Sequence, residues 1–127
     1  MKEISVAKMT SGPQIFSFRD KIYYYGAYHV LTFTEQERGK ELLVTVVNTT
    51  KPVCWIELWP AAYDGHDWVR WTTERGQEAL VRTDARPQIN PSLRWNIQPG
   101  TYTLYFVNSS PTQQFADESL TYQVEIV

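Results

Sequence analysis

Two carboxylates and an imidazole lie close together in the stretch Asp64-Gly65-His66-Asp67, where they could bind a cation or exchange protons. Calcium prefers several oxygen ligands, so Asp64 and Asp67 with backbone carbonyls would supply half of a calcium site. Glu57 or Asp84 would add a further carboxylate. Asp-Gly is also a turn signal. The stretch therefore predicts a loop, with calcium at Asp64 and Asp67 as a secondary hypothesis and no other cofactor.

Catalysis would need a recognisable nucleophile or a positioned acid and base. The sequence contains no Gly-x-Ser-x-Gly, His-Glu-x-x-His, Walker or dinucleotide-binding glycine motif. Cys54 alternates in phase with Ile56 and Leu58, so its thiol is expected to be a small hydrophobe in an apolar core. We predict that the protein is not an enzyme. A small hydrolase that uses the acidic loop is the least favoured alternative.

Aromatic side chains form a second group of candidate residues. Four of the five tryptophans fall within seventeen residues, at Trp55, Trp59, Trp68 and Trp71. Strand alternation places Trp55, Glu57 and Trp59 on the face opposite the apolar residues of the same run. The two rings would then lie about 13 Å apart along the strand, with a carboxylate between them. Two sugar rings or a flat apolar segment of a partner protein could stack on such a face.

The same aromatic face has a structural interpretation. The segment from Tyr63 to Trp71, or a second sheet, could bury both rings, and Glu57 could pair with Arg70 across two strands. We keep both interpretations open at this point. The residues predicted to contact a ligand are Trp55, Glu57, Trp59, Tyr63, Trp68, Arg70 and Trp71.

The elements that must position these residues are strands, because the apolar period is two almost everywhere. We expect one hairpin around the turn 74–77, with strands at 67–73 and 78–83, and a second around Pro99-Gly100. In the second, Leu104 and its neighbours of the same phase would form the core face. The pattern predicts an all-β fold: a single β-sandwich domain over residues 1–127, of jelly-roll or Greek-key type, with about 8–10 short antiparallel strands.

Composition excludes several classes of function. The chain has 127 residues and a formal charge of −2, from 12 basic and 14 acidic residues that are dispersed along it. Nucleic-acid binding needs a basic patch, so we expect none. No apolar stretch is long enough for a membrane span or a signal peptide, and Cys54 alone cannot form an internal disulfide. We therefore expect a cytoplasmic protein, or an extracellular one if the sequence is a domain excised from a longer secreted parent.

Several segments together resemble a known family over about residues 27–127. They are Tyr28–Thr34, Gly39–Val46, Trp55–Trp59, Gln98–Leu104 and Leu120–Val124. This series is similar to the bacterial pre-peptidase C-terminal domain, a non-catalytic β-sandwich appended to secreted proteases and other exported enzymes. The resemblance implies a β-sandwich with a binding or accessory role. The family's middle strand typically has two acidic residues flanking a leucine, whereas here Trp55 stands at the first position and Glu57 at the second, so the resemblance does not imply a calcium site.

The functional prediction is a non-catalytic module that recognises a glycan or a protein segment through the aromatic surface. The alternative is a structural or assembly protein whose aromatic face is a homo-oligomer interface.

Overall fold

The computed structural model describes residues 2–8, 14–19, 27–49, 54–76, 78–83, 91–108 and 119–127. These residues form nine strands, one short α-helix and a single 3-10 turn at Glu35–Glu37. The strands are β1 (Lys2–Lys8), β2 (Gln14–Arg19), β3 (Ala27–Phe33), β4 (Glu41–Thr49), β5 (Cys54–Trp59), β6 (Val81–Arg82), β7 (Ser92–Asn96), β8 (Gly100–Asn108) and β9 (Ser119–Ile126). The helix is α1 (Trp68–Thr73). No helix in these ranges is long and apolar enough to cross a bilayer.

The strands form two sheets that pack face to face, which confirms the predicted all-β sandwich. One sheet has the order β1-β3-β8-β5-β6, and the other has the order β2-β9-β4-β7. The prediction that the strands are antiparallel is wrong for β1, which runs parallel to β3. Strand β2, between them in the sequence, belongs to the other sheet. The connection from β1 to β3 is therefore a crossover, which parallel neighbouring strands require.

The space between the sheets is filled by the alternating apolar positions of both. This inner core consists of Leu31, Phe33, Leu42, Val44, Val46, Ile56, Leu58, Leu93, Ile97, Tyr102, Leu104, Phe106, Tyr122, Val124 and Ile126. The predicted core phase is therefore confirmed for Ile56, Leu58 and Leu104, each of which is fully buried. Cys54 opens β5, but its side chain lies outside the described part of the structure.

A polar contact between His29 and Tyr122 crosses the inner core from sheet to sheet. Nδ1 of His29 on β3 lies 2.8 Å from the hydroxyl of Tyr122 on β9, and both side chains are fully buried. Burial lowers the pKa of His29 to about 4, and burial also raises the pKa of Tyr122. Both shifts favour the neutral forms, so a neutral pair joins the two sheets at physiological pH.

The predicted hairpin around Pro99-Gly100 is wrong, although its core face is right. Strand β7 pairs with β4 in one sheet, whereas β8 pairs with β3 and β5 in the other. The turn is therefore a corner that carries the chain between sheets. The hydroxyl of Tyr102 donates to the carbonyls of Gln98 and Pro99, at 2.9 and 3.2 Å, and so closes this corner.

The predicted hairpin around residues 74–77 is also wrong, because its first strand is the helix α1. Asp67 caps the helix through Oδ1, which accepts a hydrogen bond from the amide of Arg70 at 3.2 Å. Trp68 and Trp71 stand three residues apart and stack at 5.2 Å between ring centroids. In a strand this spacing would send the two rings to opposite faces, whereas a helix places them on one face. The second predicted strand survives only as β6, which pairs with β5.

Candidate functional site

A second group of buried side chains lies on the outer face of the five-stranded sheet. We call it the outer aromatic cluster: Tyr28, Val30, Trp59, Tyr63, Trp71 and Tyr105, with Trp55, Ala61, Trp68 and Ala79 packed against it while partly exposed. We call residues 60–76 the cover segment, because the chain leaves β5 there and folds back over the sheet. The ring of Trp68 lies 4.0 Å from that of Tyr105, centroid to centroid. The sheet is thus covered on both faces.

The tryptophan rings do not form an open platform. Trp59 is 4% exposed, Tyr63 5% and Trp71 6%, while Trp55 and Trp68 are half-buried. Edge-to-face contacts connect the rings, at 5.0 Å between Tyr63 and Trp68 and 5.7 Å between Trp59 and Trp71. Pairs of this kind contribute about 0.5–1.5 kcal/mol each beyond their buried area. The structural interpretation, in which the segment from Tyr63 to Trp71 covers the rings, is therefore confirmed for Trp59, whereas Trp55 is only half-buried.

Glu57 is buried between two of the tryptophans and hydrogen-bonds to both. Its Oε2 accepts from Nε1 of Trp55 at 3.0 Å, and its Oε1 accepts from Nε1 of Trp59 at 2.9 Å. The predicted pairing of Glu57 with Arg70 is wrong, since Nε of Arg70 donates to Glu74 at 3.2 Å on the same helix. The carboxylate therefore fixes the orientation of the two indoles.

The acidic stretch 64–67 is a tightly held loop, as predicted. Oδ1 of Asp64 accepts a hydrogen bond from the amide of His66 at 2.8 Å, and Asp67 adopts a left-handed backbone with φ of 40°. Gly65 has φ of +89°, and a Cβ at this position would lie 3.0 Å from the hydroxyl of Tyr28. A side chain at residue 65 would therefore meet both backbone strain and the edge of the outer aromatic cluster.

The two aspartates do not belong to a larger ligand set in the described ranges. These ranges contain no group of three or more His, Cys, Asp or Glu side chains that could hold a metal ion. Asp84 lies outside them. Calcium at Asp64 and Asp67 stays a prediction from the sequence alone.

Above the outer aromatic cluster, the exposed side of the loop and of α1 forms an open pocket of about 280 Å³. We call it the loop–helix surface; it is lined by Asp64, His66, Asp67, Arg70, Trp71 and Glu74. His66 and Arg70 are largely exposed. The guanidinium carbon of Arg75 lies 4.2 Å from the centroid of a Trp71 ring. Burial raises the pKa of Tyr63, and the nearby charges of Asp64 and Asp67 raise it further.

The loop–helix surface contains some of the predicted site residues and separates them from others. Asp64, Asp67, Arg70 and Trp71 line it. Trp55, Glu57, Trp59, Tyr63 and Trp68 belong instead to the outer aromatic cluster or pack against it. Glu74 was missed as a site residue. Its position four residues after Arg70 would have revealed it only if the helix had been recognised.

No protein-family model and no curated protein matches the chain. The solved structures that are similar to it include two bacterial proteins. A periplasmic inhibitor of g-type lysozyme from Aeromonas hydrophila is 13% identical, with a TM-score of 0.55 over 100% of both chains. The pre-peptidase C-terminal domain of a Bacillus anthracis collagenase is 12% identical, with a TM-score of 0.50, covering 96% of this chain and 94% of that one. The fold is similar to a pre-peptidase C-terminal domain. The resemblance expected from the sequence is thus confirmed for the fold, and identities this low show nothing further.

Proposed function

We propose that the chain is a non-catalytic, single-domain binding module that recognises a protein partner through the loop–helix surface. The observation that supports this most directly is that the loop–helix surface is exposed and charged, is hydrogen-bonded internally at Asp64 and Asp67, and lies above a buried aromatic layer. Loops that are fixed before binding lose little conformational entropy when they dock. The similarity in fold to a lysozyme inhibitor, a protein that acts on another protein, also favours a protein partner.

A protein partner fits the exposed groups better than a glycan does. Sugar binding by ring stacking needs accessible ring faces, and Trp59 and Trp71 are almost wholly buried. The accessible groups are instead the charged side chains of Asp64, Arg70 and Glu74. Such groups form charge-assisted hydrogen bonds and steer association between proteins. A reversal of charge on the loop–helix surface should therefore weaken the complex with the partner protein.

The test compares Arg70→Glu with Arg94→Glu as a matched control. Both arginines are exposed and both pair with a glutamate, Arg70 with Glu74 and Arg94 with Glu41. Arg94 lies on the other sheet, whose outer face points away from the loop–helix surface. Each variant is immobilised and used to capture proteins from an extract of the source organism. The affinity of any purified partner is then measured by calorimetry.

We expect a partner that the wild type and R94E bind alike and that R70E binds about tenfold more weakly, a difference of about 1.4 kcal/mol. Equal binding by R70E and R94E, or capture of nothing by the wild type, contradicts the proposal. A glycan that shifts the tryptophan fluorescence would favour the glycan hypothesis. A wild-type dimer that R70E converts to a monomer would favour the homo-oligomer hypothesis.

A further inference from the structure

Thr103 lies beneath the start of the cover segment, on the outer face of the five-stranded sheet. It sits in the middle of β8, opposite Val30 on one side and Trp59 on the other. Its side chain is fully buried. Oγ1 of Thr103 donates to the carbonyl of Ala61 at 2.6 Å and accepts from the amide of Tyr63 at 2.8 Å. One hydroxyl therefore joins two backbone groups of the cover segment to the sheet.

This hydroxyl acts where the chain stops being a strand. Trp59 is the last residue of β5 to pair with β8, and the backbone then leaves the sheet at Pro60. Beyond this point the side chain of Thr103 takes the place of a neighbouring strand as hydrogen-bond partner. Without it, the buried N–H of Tyr63 and the part-buried C=O of Ala61 would lose this partner, and leaving such groups unsatisfied is costly.

Aromatic rings make other contacts between the cover segment and the sheet. Tyr63 packs against Tyr28 at 4.8 Å between ring centroids, and Trp68 packs against Trp59 at 5.5 Å. Ring contacts favour burial but constrain position less than hydrogen bonds do, because hydrogen bonds need defined distances and angles. Thr103 therefore holds the cover segment to β8 through two hydrogen bonds of defined geometry.

We infer that Thr103 is the positioning residue of the loop–helix surface. It fixes where the cover segment crosses the sheet, and this in turn fixes where the loop–helix surface lies. This inference rests on the proposed function of that surface. Thr103 itself is buried and touches no partner. It acts on binding through Ala61 and Tyr63, the first residues that the cover segment places over β8.

The test uses Thr103→Val, which removes the hydroxyl while keeping a β-branched side chain of nearly the same shape on the strand. Thr103→Ser keeps the hydroxyl and should restore the wild-type behaviour. Thr101→Val is the matched control, since Thr101 lies two residues away on the same strand and face and its hydroxyl contacts Thr32. If T103V does not fold, Thr103→Ala is compared with Thr101→Ala in the same way.

Amide hydrogen exchange is measured for the cover segment and for β4 and β9. In T103V we expect exchange at Tyr63 and through α1 to accelerate about tenfold or more, with β4 and β9 unchanged. T103S and T101V should match the wild type. Partner capture should fall in T103V as it does in R70E.

Three results overturn the inference: unchanged exchange in T103V, equal acceleration in all strands, or a loosened cover segment with undiminished capture. If amide hydrogen exchange is unchanged in T103V while R70E still binds the partner more weakly, the inference about Thr103 is wrong and the proposed function is still supported. Equal capture by R70E and R94E removes the proposed function instead, whatever the exchange rates are.

Discussion

The five-stranded sheet has two buried faces that are built in different ways. Its inner face meets a second sheet, so residues such as Leu104 pack against side chains from distant parts of the sequence. Its outer face meets residues 60–76, a local segment that folds back over the strand it has just left. The inner core should therefore govern global unfolding, whereas the outer aromatic cluster should be able to open locally.

The largest effect is expected at the inner core. Leu104→Ala removes a fully buried side chain between the sheets and should lower the free energy of unfolding by about 2–5 kcal/mol. Urea denaturation measures this change. Val69→Ala, at a residue of α1 that is 60% exposed, should change it by less than about 0.5 kcal/mol. Similar losses in the two variants would break the distinction between core and cover.

Burial of His29 gives the inner core a dependence on pH. In the folded state the pKa of His29 is about 4, below its ordinary value of 6.5, so the unfolded chain binds more protons between these values. Stability is therefore fully present above about pH 6.5 and falls as the pH drops toward 4, by about 3 kcal/mol.

Urea denaturation across this range checks the expectation. His29→Gln should flatten the dependence on pH, since glutamine does not titrate. If the free energy of unfolding of H29Q still falls as the pH drops from 6.5 to 4, other groups cause the dependence on pH.

Glu57→Gln tests how much the outer aromatic cluster contributes to stability, compared with the inner core. The amide offers one acceptor oxygen where the carboxylate offers two, so one of the two indole N–H groups loses its partner. We expect a loss of about 1–3 kcal/mol and a changed near-ultraviolet circular dichroism spectrum. Glu125→Gln is the control, because Glu125 accepts from Gln123 two residues away in the other sheet and is half-exposed. Equal effects would show that burial of Glu57 matters little.

The sequence predicts the inner core well, because a period of two assigns Ile56, Leu58 and Leu104 to one face whatever the order of strands. It does not predict which strands share a sheet. A Pro-Gly turn suits both a hairpin and a corner, and the choice depends on what β7 and β8 each pair with in three dimensions.

The candidate site shows the same limit. The spacing of Trp68 and Trp71 fits a helix, but six residues make no stable helix alone. Packing of both rings on Tyr63 stabilises α1, and that contact exists only once the cover segment has crossed β8. The hydrogen bonds from Thr103 to Ala61 and Tyr63 could not be predicted from the sequence, because threonine is common on either face of a strand.

The smallest effect on the free energy of unfolding is expected at Arg75, which packs on Trp71 of the outer aromatic cluster. Its guanidinium lies over a Trp71 ring, and its NH1 donates to the Trp71 carbonyl at 2.9 Å. Arg75→Ala should cost about 1 kcal/mol, and Arg75→Lys should recover only part of it because an ammonium cannot stack as a planar group. Arg38→Ala is the control, an exposed arginine paired with Glu35. If the cover segment opens independently, R75A will accelerate hydrogen exchange in residues 61–76 and leave β4 and β9 as they are. An equal rise in β4 and β9 would mean that the outer aromatic cluster and the inner core unfold as one unit.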